Sequence, residues 1–413
     1  MSCEKWVKGP FGLSADQGRT CLSERIVLVV VHHLTAAARL MDVVPLLESD
    51  QRIQVVYTVA PSSQFVAGAD EFLRRLGGVV VPWRQATEVC FDLAMAASHG
   101  LLEQLHAPVL TLPHGASFNK YPARWIGQGP EVPRELAGLE RAGLVYRGRV
   151  IPSAIVLPAS RDLARLRLAC PAATPVAVVG GDPCYDRLAA SLPLRERYRR
   201  ALDLGAHKLV AVTSTWGPGS LLRQCPDLLA RLVDELPGDE YRVAAFLHPH
   251  VWAWHGRRQL LAWLASSVKR GLILMPPEEG WRATLAASDF VIGDHGSATC
   301  YGAAAGAPVL LAAFPAGEID PGSPASQLGA TAHHLRTDQP VARQLRAVAA
   351  DWSPESSAAI RRMITDVPGQ SGRIIRKTMY DLMKLPEPET GPYISPVPFP
   401  GRAVIPVTTG VSQ

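Results

Sequence analysis

A histidine directly after a predicted strand is the first feature of this sequence that indicates chemistry. His114 follows the apolar run APVLTLP (107–113), and Gly115 behind it lets the backbone turn sharply. Because imidazole titrates near neutral pH, His114 is predicted to act as a general base toward a hydroxyl. The structural alternative is a ring that only hydrogen-bonds the next loop. His32 and His33 end the first predicted strand in the same way and are expected to face the same cleft.

A second histidine of this kind is His248, in the segment FLHPHVW (246–252). Pro249 fixes the turn behind it, so the imidazole is placed to hold a diphosphate by charge or hydrogen bonding. A zinc site built from His248, His250 and His255 is the alternative. No cysteine or carboxylate completes a tetrahedral set there, and we therefore rank metal binding below phosphate binding and expect no metal.

Two further segments predict loops that bind phosphate. A strand ending in hydroxyls runs into glycines in AVTSTWGPGS (211–220), and the strand DFVIGD (289–294) is followed by a small-residue helix. Free amide groups at a helix start, with the helix dipole, favour an anion. The alternatives are an ordinary strand-to-helix turn and a tightly packed helix; the second does not explain a His-Gly-Ser at a strand end. The predicted donor-binding residues are Thr213, Ser214, Thr215, Trp216, Gly217, His295, Gly296, Ser297, Ala298 and Thr299.

The elements that position these residues alternate as strand and helix, which indicates parallel sheets. The predicted strands are 25–31, 53–60, 77–83, 107–114, one or two within 144–160, 174–181, 207–215, 241–249, 271–276, 289–294 and 307–314. The predicted helices are 35–48, 68–76, 89–104, 185–203, 222–236, 256–268, 280–287, 298–305 and 370–384. Ligands of such sheets bind beyond the carboxyl ends of the strands, so a cleft between two doubly wound units is expected to hold the site.

This alternation of strands and helices predicts an α/β protein with two Rossmann-type domains facing a central cleft. The predicted divisions are an N-terminal extension (1–23), a first domain (24–168), a second domain (169–368), a helix (369–385) and a Pro-rich, extended or disordered tail (386–413). The strand 174–181 is assigned to the second domain. The helix over 370–384 is amphipathic and is expected to pack back across the domain junction.

Composition narrows the function classes. A net charge of +5 with 19% charged residues does not form the dense basic stripe of a nucleic-acid binder. The seven cysteines lack CxxC spacing, which fits a reducing cytoplasm and favours neither zinc nor dithiol chemistry. Residues 1–23 have no apolar run of signal-peptide length. We expect a cytoplasmic protein with at most weak peripheral membrane contact. The arginine-rich segment 187–202 is interpreted as a solvated helix face rather than a membrane patch.

In this order, the motifs resemble the CDP-glycerol glycerophosphotransferase family, the teichoic-acid polymerases and primases, over residues 107–315. The matching elements are HG-x4-K (His114, Gly115, Lys120), VVGGDPCYDRL (178–188), Thr215 with Trp216, His248 with Pro249, and LAASDFVIGDHGS (285–297). The resemblance implies a GT-B fold. It implies His114 as the base on the acceptor side, with His32, His33 and Lys120 nearby, and His248 on the donor phosphates. It implies no cofactor, because the nucleotide-activated donor, CDP-glycerol or a nucleotide sugar, is itself a substrate.

Departures from that family leave alternatives open. His295 replaces the family's Tyr, and the acidic residue expected after this loop is absent, with Tyr301 and Gly302 in its place. DHGSA also resembles the loop of nucleotide-sugar glycosyltransferases, although Ala303 stands where their ribose-binding Glu would be. Glu318 or Asp320 is predicted to contact a sugar or ribose hydroxyl instead. A UDP-sugar 2-epimerase-like enzyme and a non-catalytic nucleotide-binding relative remain as further hypotheses. The acceptor and the oligomeric state are left undetermined.

Overall fold

The chain folds into two compact α/β units in the computed structural model. The structure describes residues 6–9, 18, 20–63, 66, 68–121, 134–390 and 394–400. The first unit comprises Met1–Asp186 with Ile364–Ser395, and the second comprises Arg187–Met363 with Pro396–Gln413. The division therefore falls after Asp186, where the sequence suggested 168. None of the helices in the described ranges is long and apolar enough to cross a bilayer.

The first unit is built on a seven-stranded parallel sheet in the order β3-β2-β1-β4-β5-β8-β9. Its strands and a small antiparallel hairpin (β6 with β7) are β1 (Arg25–Val31), β2 (Ile53–Val59), β3 (Val79–Val81), β4 (Leu93–Ala96), β5 (Val109–Thr111), β6 (Val145–Tyr146), β7 (Arg149–Val150), β8 (Ala154–Leu157) and β9 (Ala177–Val179). The order reverses between β1 and β4, where neighbouring strand ends diverge and ligands of such sheets bind.

The central strands of the first sheet are buried on both faces, as expected for a parallel sheet that is covered by helices. The helices are α1 (Leu34–Leu40), α2 (Pro45–Glu48), α3 (Ala69–Leu76), α4 (Trp83–Ala86), α5 (Arg141–Leu144), α6 (Ser160–Ala169) and α7 (Pro183–Ser191). One core cluster joins Val27, Val29 and Val31 of β1 to Leu40 of α1 and Leu73 of α3. α1 begins directly behind β1, so its first turn lies at the carboxyl end of the sheet.

Two predictions for the first half were wrong. The segment 89–104 does not form a helix: Leu93–Ala96 is a strand between β1 and β5. Leu, Ala and Met favour helices in isolation, but all four residues are buried in a central strand, and packing overrides propensity. β9 pairs with β8 in the first sheet and not with the strands of the second half. The predicted helix 35–48 is divided by a turn into α1 and α2.

The second unit carries a six-stranded sheet in the order β12-β11-β10-β13-β14-β15. Its strands are β10 (Lys208–Ser214), β11 (Tyr241–Leu247), β12 (Ile273–Leu274), β13 (Phe290–Gly293), β14 (Val309–Leu311) and β15 (His333–His334). Here the order reverses between β10 and β13. The pair His333 and His334 forms a short exposed edge strand beside β14.

The helices of the second unit surround a core of aliphatic side chains. They are α8 (Arg195–Ala201), α9 (Leu221–Gln224), α10 (Leu228–Glu235), α11 (Pro249–His255), α12 (Arg257–Lys269), α13 (Trp281–Ala287), α14 (Ser297–Ala304), α15 (Pro324–Thr331), α16 (Val341–Asp351) and α17 (Pro354–Ile364). Leu232, Leu260 and Leu345 from three of these helices join Val212 of β10 in one core cluster.

The arginine-rich segment of the second unit is only in part the predicted solvated face: Arg197 and Arg200 are exposed, whereas two other arginines anchor a neighbouring helix. Arg195 and Arg199 of α8 both pair with Asp289, at 2.7 and 2.9 Å. They also donate to the carbonyls that end α13, including Ser288 O at 2.6 Å and Ala287 O at 3.2 Å. Cations are favourable at a helix C-terminus, where carbonyls lack partners. The two arginines therefore fix α13, the helix before β13.

The last helix, α18 (Ser371–Met383), is amphipathic as predicted and belongs to the first unit. Ile375, Met379 and Met383 enter the core cluster under the sheet. The tail beyond it was predicted to be extended or disordered, and residues 394–400 have no regular secondary structure. They are also packed: Val397 is buried, and its carbonyl accepts a hydrogen bond from Tyr198 Oη at 2.7 Å in the second unit. Residues 401–413 lie outside the described residues.

Candidate functional sites in the two units

Histidines from three adjacent strands gather at the switch point of the first sheet. His32 and His33 follow β1, His99 lies just beyond β4, and His114 lies just beyond β5. The rings of His33 and His114 meet edge to face with centroids 5.0 Å apart. The structure therefore brings together the three predicted histidines of this unit. His99 was not predicted as a site residue, because the segment that contains it, 89–104, was predicted to be a helix.

The ring of His114 is held in one tautomer. Its Nδ1 lies 2.9 Å from the carbonyl oxygen of Ala97. A carbonyl can only accept, so Nδ1 carries the proton and the lone pair of the neutral ring is on Nε2. The surrounding protein desolvates the charged ring and lowers the pKa of His114 from 6.5 to about 4, and the charges of Arg39, His99 and Lys120 act in the same direction. The ring is itself exposed to solvent. Its neutral, proton-accepting form thus prevails at neutral pH.

The two histidines after β1 have different hydrogen bonds. His33 caps α1: its Nδ1 accepts the amide of Ala36 at 3.2 Å, so the neutral ring keeps its proton on Nε2. His32 is 1% exposed and its Nε2 donates to the carbonyl of Gly100 at 3.0 Å. Burial lowers the pKa of His32 to about 4, with repulsion from His99 and His114 in support. His32 is therefore a neutral, inward-facing ring and His33 the one in contact with His114.

A buried ion pair supports the loop that carries His114. Arg39 of α1 pairs with Asp182 at 2.9 Å, and its second amino group donates to the carbonyl of Gly115 at 3.1 Å. The side chains are 3% and 1% exposed, so water competes for neither. Asp182 also accepts the amide of Tyr185 at 2.9 Å in the first turn of α7. The GGDP segment is part of a motif in the sequence, but neither Asp182 nor Arg39 was predicted to have a role.

The glycines of GGDP are required by close packing. A Cβ on Gly180 would lie 2.7 Å from Val156 Cγ1, and Gly181 has a φ of +78° with Val367 3.0 Å from its Cβ position. Asp186, four residues past Asp182, accepts hydrogen bonds from the amides of Gly369 and Ser371 at 2.7 and 3.0 Å. The segment thereby joins α7 to the start of α18.

In the second unit one carboxylate holds both predicted phosphate loops. Asp294, fully buried after β13, accepts the amide and the hydroxyl of Thr215, both at 2.8 Å. It also accepts the amides of Leu221 at 2.9 Å and Gly296 at 3.0 Å. These bonds bridge β10 and β13, the strands between which this sheet reverses. Asp294 was missed as a site residue although the motif GDHGS contains it.

Small residues let the two loops approach each other. A Cβ on Gly296 would lie 2.5 Å from Thr215 Cγ2, and one on Gly219 would lie 2.9 Å from Pro315 Cγ and 3.7 Å from His295 Cε1. His295 is buried, and Ser297 and Ala298 at the start of α14 are partly exposed. Glu318 is exposed three residues beyond Pro315. The start of α14 therefore opens beside the loop that follows β10.

Three predicted donor-binding side chains of this unit face inward. Thr299 is fully buried, and its hydroxyl packs toward Gly293. Ser214 Oγ donates to Thr215 O at 3.0 Å and accepts the amide of Leu222 at 3.2 Å. Thr213 is 4% exposed. The hydroxyl of Thr215 is already bonded to Asp294, so its contribution is to shape the loop. Gly217 has a φ of +84°, which turns the loop after Trp216.

His248 caps α11 and lies in a row of rings with His250 and Trp216. Its Nδ1 accepts the amide of His250 at 3.1 Å, so the neutral ring carries its proton on Nε2 as a donor. The His248 and His250 rings are 4.5 Å apart, and those of His250 and Trp216 are 5.0 Å apart. The tautomer is opposite to that of His114. Within the described ranges, no three His, Cys, Asp or Glu side chains are grouped as a metal site.

Two Rossmann-type sheets with these switch points define a GT-B-like fold, which confirms the predicted fold class. Solved structures agree. The wall teichoic acid polymerase TagF, in a variant soaked with CDPG, matches at 14% identity and a TM-score of 0.59 over 90% of this chain and 91% of that chain. A UDP-GlcNAc 2-epimerase from Neisseria meningitidis bound to UDP-GlcNAc matches at 15% and 0.50 over 86% and 100%.

Another structure, S. aureus MnaA with UDP, matches at 12% identity and a TM-score of 0.52 over 89% of this chain and 100% of that chain. No protein-family model matches the chain, and no curated protein does. At these identities the similarity establishes the fold and leaves the reaction to be argued from the residues.

Proposed function

We propose that this protein is a transferase that moves a glycerophosphate or glycosyl group from a nucleotide-activated donor to an acceptor hydroxyl. The observation that carries the proposal is the tautomer of His114. Its Nδ1–H is bonded to Ala97 O, and Nε2 is left as a neutral base on a solvent-accessible ring. A base of this kind takes the proton of a hydroxyl as that oxygen attacks.

The second unit supplies the groups that a diphosphate needs. The amides at the start of α14 and the Nε2–H of His248 are donors, and the Asp294 carboxylate fixes the two loops that present them. Donors fixed in advance stabilise negative charge on a transferring phosphoryl group without reorganisation. A donor like CDP-glycerol is favoured by the motif order and by the likeness to a polymerase soaked with CDPG.

The reaction with that donor balances as follows. The acceptor oxygen forms a bond to the phosphorus that bears glycerol, the bond from that phosphorus to the bridging oxygen breaks, and CMP leaves with the bonding electrons. His114 Nε2 receives the hydroxyl proton. With a nucleotide sugar, the new bond forms at the anomeric carbon and the nucleoside diphosphate leaves. Neither donor requires a cofactor.

The test is ligand binding followed by turnover. Thermal shifts with CDP, CMP, UDP and UDP-GlcNAc rank the nucleotides; stabilisation by CDP and CMP supports a CDP-glycerol-like donor, and stabilisation by UDP alone moves the proposal to a nucleotide sugar. Release of CMP or UDP is then followed with a panel of hydroxyl acceptors. If no nucleotide raises the melting temperature, the proposal is refuted. If the protein converts UDP-GlcNAc to its 2-epimer, it is an epimerase and not a transferase.

The base assignment has its own variants. His114→Ala is expected to reduce turnover by at least about 100-fold, because general-base contributions are commonly that large, while nucleotide binding persists. The control is His106→Ala, since His106 is an exposed histidine of the same unit. Equal activity of the two variants would refute the role of His114.

A further inference from the structure

We propose that Arg39 and Asp182 are positioning residues for His114, an inference that rests on the proposed function. Arg39 lies near the end of α1, and its guanidinium joins Asp182 Oδ1 at 2.9 Å to the carbonyl of Gly115 at 3.1 Å. Gly115 directly follows His114. The guanidinium therefore ties the backbone behind the base to a buried carboxylate from a different part of the chain.

α1 contacts the His114 loop at both of its ends. His33, the cap of its first turn, meets the His114 ring at 5.0 Å, and Arg39 in its last turn holds Gly115. A short helix fixed by a cap at one end and an ion pair at the other is a rigid support. Because a guanidinium is planar, one side chain can bond two acceptors in fixed directions, which an ammonium does not reproduce.

In this arrangement the GGDP segment (180–183) positions Asp182 for its contact with Arg39. Gly180 and Gly181 fit where a Cβ would collide, and Asp182 is thereby held at the start of α7 with its carboxylate toward Arg39. Asp182 is only 1% exposed, so the charge of Arg39 has a fixed partner in a position that water does not reach. We infer that the segment acts on His114 through Arg39 and the backbone of Gly115 and does not contact the donor.

The charge of Arg39 has a second effect on the base. The groups that face His114 are Arg39 from α1, His32 and His33 after β1, His99 after β4, and Lys120 further along its own loop. Arg39 is the largest of the charge contributions that lower the pKa of His114. Removing the positive charge of Arg39 should therefore raise the pKa of His114. Replacing the guanidinium by another cation, which changes only the hydrogen-bonding geometry, should not.

Two variants separate position from charge. The double variant Arg39→Met with Asp182→Asn removes both charges and leaves no buried ion unpaired. It is expected to raise the pKa of His114, because Arg39 and not Asp182 is among the charges that shift that pKa most, and to reduce kcat about 10-fold or more with the KM for the donor unchanged. Arg39→Lys keeps the cation, so the pKa should stay low while kcat is only partly restored.

The readout that needs no activity is an NMR titration of the 15N-labelled imidazoles, which reports both the tautomer and the pKa of His114. The control is Asp50→Asn, because Asp50 is a buried partner of Arg52 and Tyr380 in the same unit and has no link to the loop. It should lower the melting temperature without moving the His114 titration.

The outcomes are distinct. A His114 titration and Nδ1–H tautomer unchanged in the folded double variant would overturn the positioning role. If the double variant changes the His114 titration but the parent protein turns over no donor, the positioning role stands and the proposed function is rejected. An active enzyme whose kcat and pH profile are the same in the double variant and in Asp50→Asn would reject the positioning role alone.

Discussion

Asp294 accepts both the amide and the hydroxyl of Thr215 at 2.8 Å, and this pair connects the two strands between which the second sheet reverses its order. Leu221 and Gly296 add their amides to the same carboxylate. A predicted anion-binding site thus has a carboxylate at its base. The carboxylate is fully buried, and the amides that it accepts fix the two loops relative to each other.

Asp294→Asn should destabilise the second unit and abolish nucleotide binding. The amide replaces an acceptor oxygen by a donor that faces other donors, and we expect a loss of about 3 kcal/mol in the free energy of unfolding. Thr215→Val, which removes one hydroxyl and leaves the backbone amide bonded, should cost about 1 kcal/mol. Hydrogen exchange of peptides that cover β10 measures both. Equal protection in the two variants would contradict the central role of the carboxylate.

Gly296→Ala should lower nucleotide affinity by distorting the loops. The new Cβ would lie 2.5 Å from Thr215 Cγ2 and 3.1 Å from Asp294 Oδ1, so the Asp294 bonds must move. Gly317→Ala is the matched control, because no atom lies within 4 Å of the Cβ position and its φ is not positive. The measurement is the thermal shift produced by CDP or UDP. A full ligand shift in Gly296→Ala would show that close approach of the loops is unnecessary.

Acid should destabilise the first unit through His32. Its folded pKa is about 4 and its unfolded pKa is 6.5, so only the unfolded state binds a proton between these values. The stabilisation is complete above pH 6.5 and is lost as the pH falls to 4, by about 3 kcal/mol. His114 contributes with the same sign and less, because its ring is exposed.

The check for His32 is hydrogen exchange of β1 peptides at pH values between 7 and 4, corrected for the intrinsic exchange rate. His32→Gln should flatten the pH dependence, and His333→Ala, which changes an exposed histidine, should leave it unaltered. A slope that persists in full in His32→Gln would assign the acid sensitivity to other groups.

The described part of the tail should stabilise the second unit. Tyr198 Oη donates to Val397 O at 2.7 Å, and Ser191 Oγ accepts the Val397 amide at 2.9 Å. Tyr198→Phe should therefore cost about 1 kcal/mol, since it leaves a buried carbonyl without that donor. Urea unfolding measures the loss. A variant as stable as the parent protein would mean that water replaces the tyrosine hydroxyl.

The alternation of strands and helices could be predicted because buried parallel strands are β-branched runs, as in RIVLVVV (25–31), observed as Arg25–Val31. The strand Leu93–Ala96 could not, since its residues favour helix and only burial between β1 and β5 makes them a strand. Because that strand was not predicted, His99, which follows it, was not predicted to lie at a strand end.

The candidate sites were predicted only in part. Histidines at strand ends are visible in the sequence, and His32, His33 and His114 do meet. The partners that fix them are remote along the chain: Arg39 reaches Asp182, and Asp294 reaches Thr215. No local pattern encodes such a pair. Thr299 shows the converse, because a hydroxyl at a helix start can equally turn into the core.

The position of α18 has a consequence for synthesis of the chain. Ile375, Met379 and Met383 belong to the core of the first unit, and the amides of Gly369 and Ser371 donate hydrogen bonds to Asp186. Residues 187–363, which form most of the second unit, are translated before these residues emerge from the ribosome. The first unit therefore completes its core only after that segment has been made, although its sheet is made first, and residues 187–363 can begin to fold while the core of the first unit is still incomplete.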